Sequence, residues 1–184
     1  EIATCRYEHR MGTGPQTLAI SGERACVADT HVGLQIIDVR DPASPRPLGR
    51  YEPHDGSVQA VAMVGSYALV SVGSNWQSAS LQIVDVGDPL NPRLLSQCEI
   101  SDSANSFTVS GDYAYVTIGL HGGEIIEIRD LAVPRRLGRF DTSGRAVAVA
   151  LQDDTAYVAD EDQGVYVVDV TDRQSPFSRG RLRG

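Results

Sequence analysis

Residues 34–45 read LQIIDVRDPASP and residues 81–92 read LQIVDVGDPLNP. The same frame returns twice in altered form, as EIIEIRDLAVP at 124–134 and VYVVDVTDRQSP at 165–176. Asp38, Asp85, Glu127 and Asp169 are therefore equivalent, with steps of 47, 42 and 42 residues between them. A period of about 42 residues fits one unit of four short strands, as in a propeller blade. Working outward from each copy supplies the other three strands. TLAIS, AVAMV, SFTVS and VAVAL form an innermost strand A, and ACVAD, ALVSV, AYVTI and AYVAD a strand B after a tight turn. The quoted runs are strand C, and PLGRY, LLSQC, RLGRF and SRGRL an outer strand D. Strand lengths, β-branched residues and the glycine-bearing turns agree, and no stretch carries helical periodicity. The expectation is an all-β chain, a β-propeller of four-stranded antiparallel blades, possible as part of a larger propeller.

The DVRDPASP and DVGDPLNP segments, each following an AxVxx strand, resemble the LVIVD-repeat family of β-propellers. Leu131 and Arg173 stand where Pro42 and Pro89 follow the turn aspartate in the other copies. The resemblance implies a propeller with no common reaction attached to the repeat. It also implies an extracellular or cell-envelope setting.

Domain organisation follows from the repeat. The chain, 1–184, is expected to be one propeller domain or a propeller fragment, with blades at 16–53, 58–100, 105–141 and 146–184. Segment 1–7, with Thr4-Cys5-Arg6-Tyr7, matches strand D and is read as the outer strand of a preceding or closing blade. Because the last repeat already has its own strand D, further blades are expected in the full-length chain.

Composition bounds the partners. The 184 residues carry 24 acids against 16 bases, all arginine, for a formal net charge of -8. Such a field repels phosphate backbones, so nucleic acid is not an expected partner. No apolar run is long enough for a signal core or spanning helix, and no membrane insertion is expected. Cys5, Cys26 and Cys98 are an odd number in unlike settings and imply no disulfide framework.

Loop lengths separate two faces. From strand A to strand B the step is three residues in every repeat, and from the strand C acid to the turn proline it is seven. The B–C connections differ: nine residues in three repeats, but thirteen from Ala68 to Leu81, an insertion containing Trp76. The D–A connections vary as well. Variable loops on a rigid scaffold are where binding residues collect. All four histidines, His9, His31, His54 and His121, fall in these loops. The candidate partner-binding residues are thus Trp76, Asn75, Gln77, His31, His54 and His121, with Trp76 as an interface anchor.

Two sets of carboxylates tempt a catalytic or calcium reading: Asp38, Asp85, Glu127 and Asp169, then Asp41, Asp88, Asp130 and Asp172. Recurrence in every repeat at strand–turn junctions instead marks acceptors for turn amides. Ala19, Ala62, Thr108 and Ala150 are expected to line a central channel, with Gln16, Gln59, Asn105 and Val147 at its mouth. That mouth has no charge, unlike a propeller hydrolase holding calcium. No catalytic residue, metal ligand or cofactor is assigned. The leading expectation is a non-catalytic module binding a protein, peptide or glycan through its B–C and D–A loops. The alternatives are a fragment of a catalytic propeller, hydrolase or oxidoreductase, and a structural repeat spacer.

Overall fold

The structure, a computed structural model, describes residues 15–74 and 78–183. Segment 1–7, Cys5, His9 and the loop residues Asn75, Trp76 and Gln77 lie outside the described residues. Among the described residues sixteen strands form four antiparallel sheets, each in chain order. The first sheet comprises β1 (Pro15–Ser21), β2 (Arg24–Asp29), β3 (Gly33–Asp38) and β4 (Arg46–Tyr51). The second comprises β5 (Ser57–Val64), β6 (Tyr67–Ser74), β7 (Ser78–Asp85) and β8 (Arg93–Ile100). The third has β9 (Ser106–Ser110), β10 (Tyr113–Thr117), β11 (Gly123–Glu127) and β12 (Arg135–Phe140). The fourth has β13 (Ala146–Gln152), β14 (Thr155–Asp160), β15 (Gly164–Asp169) and β16 (Phe177–Leu182). The chain is an all-β propeller of four-stranded blades.

Local chemistry closes each hairpin. The β1–β2, β5–β6 and β9–β10 turns place Gly22, Gly65 and Gly111 at φ of 58°, 58° and 56°. The β13–β14 turn puts Asp153 there, at φ 51°, where an L side chain pays a steric cost that glycine does not. At the other hairpin of the same end, the turn aspartates accept backbone amides two residues on. Asp41 takes Ala43 N at 3.0 Å, Asp88 Leu90 N at 3.1 Å, Asp130 Ala132 N at 2.9 Å and Asp172 Gln174 N at 2.9 Å. The turns lacking the proline, at Leu131 and Arg173, make the same bonds as those that have it. Asp38, Asp85 and Asp169 bond likewise to the amides of Arg40, Gly87 and Thr171. Glu127, one carbon longer, instead pairs with Arg135 Nε at 2.5 Å. Each strand C to strand D ladder carries one bulge at the same place, between Ile36/Ile37, Ile83/Val84, Ile125/Ile126 and Val167/Val168.

The sheets stack in chain order through their innermost strands, β1 on β5, β5 on β9 and β9 on β13. Three cores lie between them. Cys26, Leu34 and Ile36 meet Val70, Val72 and Val84 in the first, and Leu69, Leu81 and Ile83 meet Val116, Ile126 and Ile128 in the second. The third joins Tyr115, Ile125 and Phe140 to Val158, Tyr166 and Val168. Strands buried on both faces need unbroken apolar runs, which is why LQIVD does not alternate. Each fully buried Leu, Ile or Val in these layers contributes about 1.5–3 kcal/mol.

Of the residues expected to line a channel, Ala19 and Ala62 are half-buried and touch the first and second cores, Thr108 Oγ1 donates to Val149 O at 2.5 Å in the next sheet, and Ala150 is exposed. Outer strands also touch forward. A β-carbon at Gly49 would collide with the backbone oxygen of Pro89, and one at Gly138 with that of Arg173. At the middle junction Ser96 Oγ donates to Leu131 O at 2.5 Å. Strand D of each of these sheets therefore seats the turn between strands C and D of the next.

A polar clasp accompanies every junction, always from one position of strand C. Tyr51 Oη donates to Gln82 Oε1 at 2.8 Å, and Ser143 N to Tyr166 Oη at 3.1 Å. At the middle junction the fully buried Glu124 accepts Ser101 Oγ at 2.5 Å and Arg136 Nη1 at 2.9 Å. A buried carboxylate tolerates that position only because the guanidinium and hydroxyl replace water.

Candidate functional site

The end of the sheets opposite the uniform turns holds a cavity of about 750 Å³. Gly56, Ser57 and Gln59 reach it from the entry to β5, and Gly73 from the end of β6. Asp102, Ser103 and Asn105 come from the connection between β8 and β9. Gly119 and Leu120 come from the β10–β11 turn, and Arg145 from the residue before β13. The cavity therefore draws on the second, third and fourth sheets, and only on B–C and D–A segments or their strand ends.

Local backbone chemistry holds these walls. Asn105 N donates to Thr117 O at 2.8 Å, and its Nδ2 donates to Ala146 O at 2.9 Å, tying the third sheet to the fourth. Gly119 O accepts Ala146 N at 3.0 Å, closing the same seam from the turn side. Gln59 Nε2 donates to Ser57 Oγ at 2.7 Å. Asp102 Oδ1 accepts the Ser103 amide at 2.6 Å, and Arg145 pairs loosely with Glu161 at 3.6 Å. Leu120 is 74% exposed, an aliphatic side chain held out at the rim.

Gln59 and Asn105, expected at the channel mouth, both line the cavity. Gln16, Gln59 and Val147 are the extra residues of bulges in the A–B ladders of their sheets, between Pro15/Thr17, Val58/Ala60 and Ala146/Ala148. Asn105 has no such bulge and immediately precedes β9. His31, His54 and His121 are exposed and stand at this end, but none lines the cavity. His54 is two residues from Gly56, and His121 follows Leu120. The insertion around Trp76 lengthens a hairpin. The β6–β7 ladder runs out to Ser74 opposite Ser78, whereas β10–β11 stops at Thr117 opposite Gly123. Ser74 is the residue after Gly73 of the cavity wall.

Asp102, Ser103, Leu120 and Arg145 were not signalled by the repeat, because they lie where repeats diverge. Asp29 and Asp160 were missed too. Asp29 Oδ1 accepts the amides of His31 and Val32, and Asp160 Oδ1 those of Asp162 and Gln163, shaping two B–C turns. Their recurrence in ACVAD and AYVAD was the available signal.

The ionisable groups with displaced pKa values lie elsewhere. Arg40 beside Asp38 brings that carboxyl down to about 2, and the Thr171 amide and hydroxyl with Arg179 do the same to Asp169. Burial pushes the Cys26 thiol up to about 12; burial and then the Glu124 charge push Cys98 up to about 11. Among the described residues no group of three or more His, Cys, Asp or Glu stands together as a metal site, and no helix is long and apolar enough to cross a membrane.

Among solved structures, the chain is similar to the computationally designed Ika8 protein. That match has 10% identity and a TM-score of 0.67, and covers 86% of this chain and 46% of that one. It is similar also to the computationally designed Ika4 protein at 12% identity and a TM-score of 0.69, over 91% and 96% of the respective chains. The chain thus spans less than half of Ika8 and nearly all of Ika4, and at these identities the likeness is one of fold. No curated protein matches it. The LVIVD repeat matches residues 15–52, 55–99, 102–142 and 143–182, one copy for each four-stranded sheet, and the chain belongs to the LVIVD-repeat family.

Proposed function

We propose that the chain is a non-catalytic binding module that takes a segment of protein, peptide or glycan at the end carrying its B–C and D–A loops. The observation that supports this is the cavity of about 750 Å³ at that end, within the size range of ligand pockets. Its chemistry suits a neutral, hydrogen-bonding chain. Ser57, Gln59, Ser103 and Asn105 offer donors and acceptors, Asp102 and Arg145 add one charge of each sign, and Leu120 presents an apolar edge. Amide groups of an extended peptide and hydroxyls of a glycan both match such a wall.

Asn75, Trp76 and Gln77, which follow Gly73 of the cavity wall by two to four positions in sequence, belong to the same reading. His31, His54 and His121 are the outer contacts of this surface. An aromatic side chain there can bury a large area at small entropic cost. The setting that goes with this reading is the cell exterior or envelope, taken from the family resemblance.

Glycan and peptide arrays probed with the chain are the direct test. Trp76→Ala and Leu120→Asp should each weaken the captured ligand at least about tenfold, equal to about 1.4 kcal/mol. Thermal stability should stay within about 1 kcal/mol of the parent, because Leu120 is solvent-facing. Retention of full affinity by both variants would move the site off this end.

A further inference from the structure

We propose that the first and fourth sheets are the two halves of an interface between copies of this chain. The fourth sheet of one copy seats the first sheet of another. The three junctions inside the chain define what such a seat requires, and among the described residues its two halves are present, unfilled, in the first and fourth sheets.

Consider first the face each sheet turns toward the next. At one strand B position Cys26, Leu69 and Tyr115 are at most 1% exposed, whereas Tyr157 of the fourth sheet is 39% exposed. Ile36, Ile83 and Ile125 are buried in strand C, while Val167 is only half-buried. On the opposite face, Val61 and Val149 of the inner strands are 5% and 6% exposed, but Leu18 in the first sheet is 65% exposed and Ile20 62%. The sheets at the two ends carry the same apolar pattern as the inner ones and lack only its cover.

The outer strand gives an independent sign. Gly49 and Gly138 are required because a backbone oxygen of the next turn presses on them. Gly180 occupies the equivalent place in β16, yet among the described residues nothing lies within 4 Å of where its β-carbon would be. A glycine within a strand weakens it and marks close approach of another backbone. The group that fills this seat elsewhere is the residue after the turn aspartate, Pro89 or Arg173. In the first sheet that residue is Pro42, exposed on a turn with the same Asp41 hydrogen bond.

The halves do not meet within one chain. Among the described residues β13 makes no contact with β1 comparable to β1 on β5 or β9 on β13. A second copy supplies both missing partners, since its first sheet offers Leu18, Ile20 and Pro42 to Tyr157, Val167 and Gly180. The pairing is head to tail, and two copies joined at both junctions leave neither face open.

Sedimentation equilibrium of the 184-residue chain should give the mass of two chains. Ile20→Arg and Gly180→Leu, both at open positions and checked for retained circular dichroism, should each halve that mass. A second measurement uses a Cys5→Ser background, in which Cys26 is buried and Cys98 half-buried. A tagged Pro42→Cys chain mixed with an untagged Gly180→Cys chain should form a disulfide between the two. A one-chain mass at every concentration would overturn the proposal. So would a two-chain mass insensitive to both variants, or a disulfide that forms only within a single chain carrying both cysteines.

Discussion

The two ends of the four sheets obey different rules. At one end the strand C to strand D turns repeat the same aspartate-to-amide bond at 2.9–3.1 Å, whether proline, leucine or arginine follows. At the other end, β6–β7 runs two or three rungs past the other B–C hairpins, and a cavity opens between three sheets, while the connections from β4 to β5, β8 to β9 and β12 to β13 are five residues each. The uniform end is held by chemistry the fold cannot exchange, because the turns of the second, third and fourth sheets are also the pieces that pack on the sheet before. The variable end is tied across its seams by side chains that differ from one junction to the next, such as Asn105 to Ala146 and Ser101 to Glu124, and the residues lining its cavity have no counterpart fixed by the repeat.

That contrast breaks if substitutions at the uniform end alter binding while sparing stability. Gly138→Val should have the largest effect, since its side chain would strike the Arg173 backbone and Pro176. A loss of about 3 kcal/mol in denaturant unfolding is expected, with ligand affinity of the remaining folded protein unchanged. Asp85→Ala removes one carboxylate acceptor from Gly87 N and should cost about 1 kcal/mol, again without effect on binding.

Acid titration sharpens the comparison further. Asp38 and Asp169 both ionise near 2 in the folded chain, against 3.8 ordinarily, so folding holds them charged. Their contribution is complete above about pH 4 and is lost as the pH falls through 3.8 toward 2. An Asp38→Asn/Asp169→Asn variant should therefore show a flatter decline of stability over that window, measured by unfolding at fixed pH. An unchanged slope would mean the uniform end contributes nothing to acid sensitivity. The smallest expected effect is a gain. Asp153→Gly should stabilise the chain by about 0.5 kcal/mol by relieving the positive φ that glycine carries in the other three turns.

The stretch at 34–45 made the architecture legible because it joins three constraints in twelve residues: an apolar strand buried on both faces, a capping aspartate and a turn of fixed length. Four copies at blade spacing left little freedom in strand order. The site was far less legible. Asp102, Leu120 and Arg145 become neighbours only through the stacking of separate sheets, and nothing in their local sequence announces it. The bulges at Gln16, Gln59 and Val147 were hidden because an extra residue in a ladder leaves no mark on a hydrophobic pattern.

The seat at Gly49 and Gly138 bears on how such a chain can grow. Each junction takes its two halves from consecutive repeats, a small residue (Gly49, Ser96 or Gly138) from one and a turn oxygen from the next, at matching points of a period near 42 residues. An in-frame duplication of one period therefore reproduces a whole junction wherever its breakpoints fall, with no compensating substitution elsewhere. Lengthening the gene by one unit and lengthening the array by one fitted sheet become the same event, and stability rises stepwise with each nearest-neighbour contact.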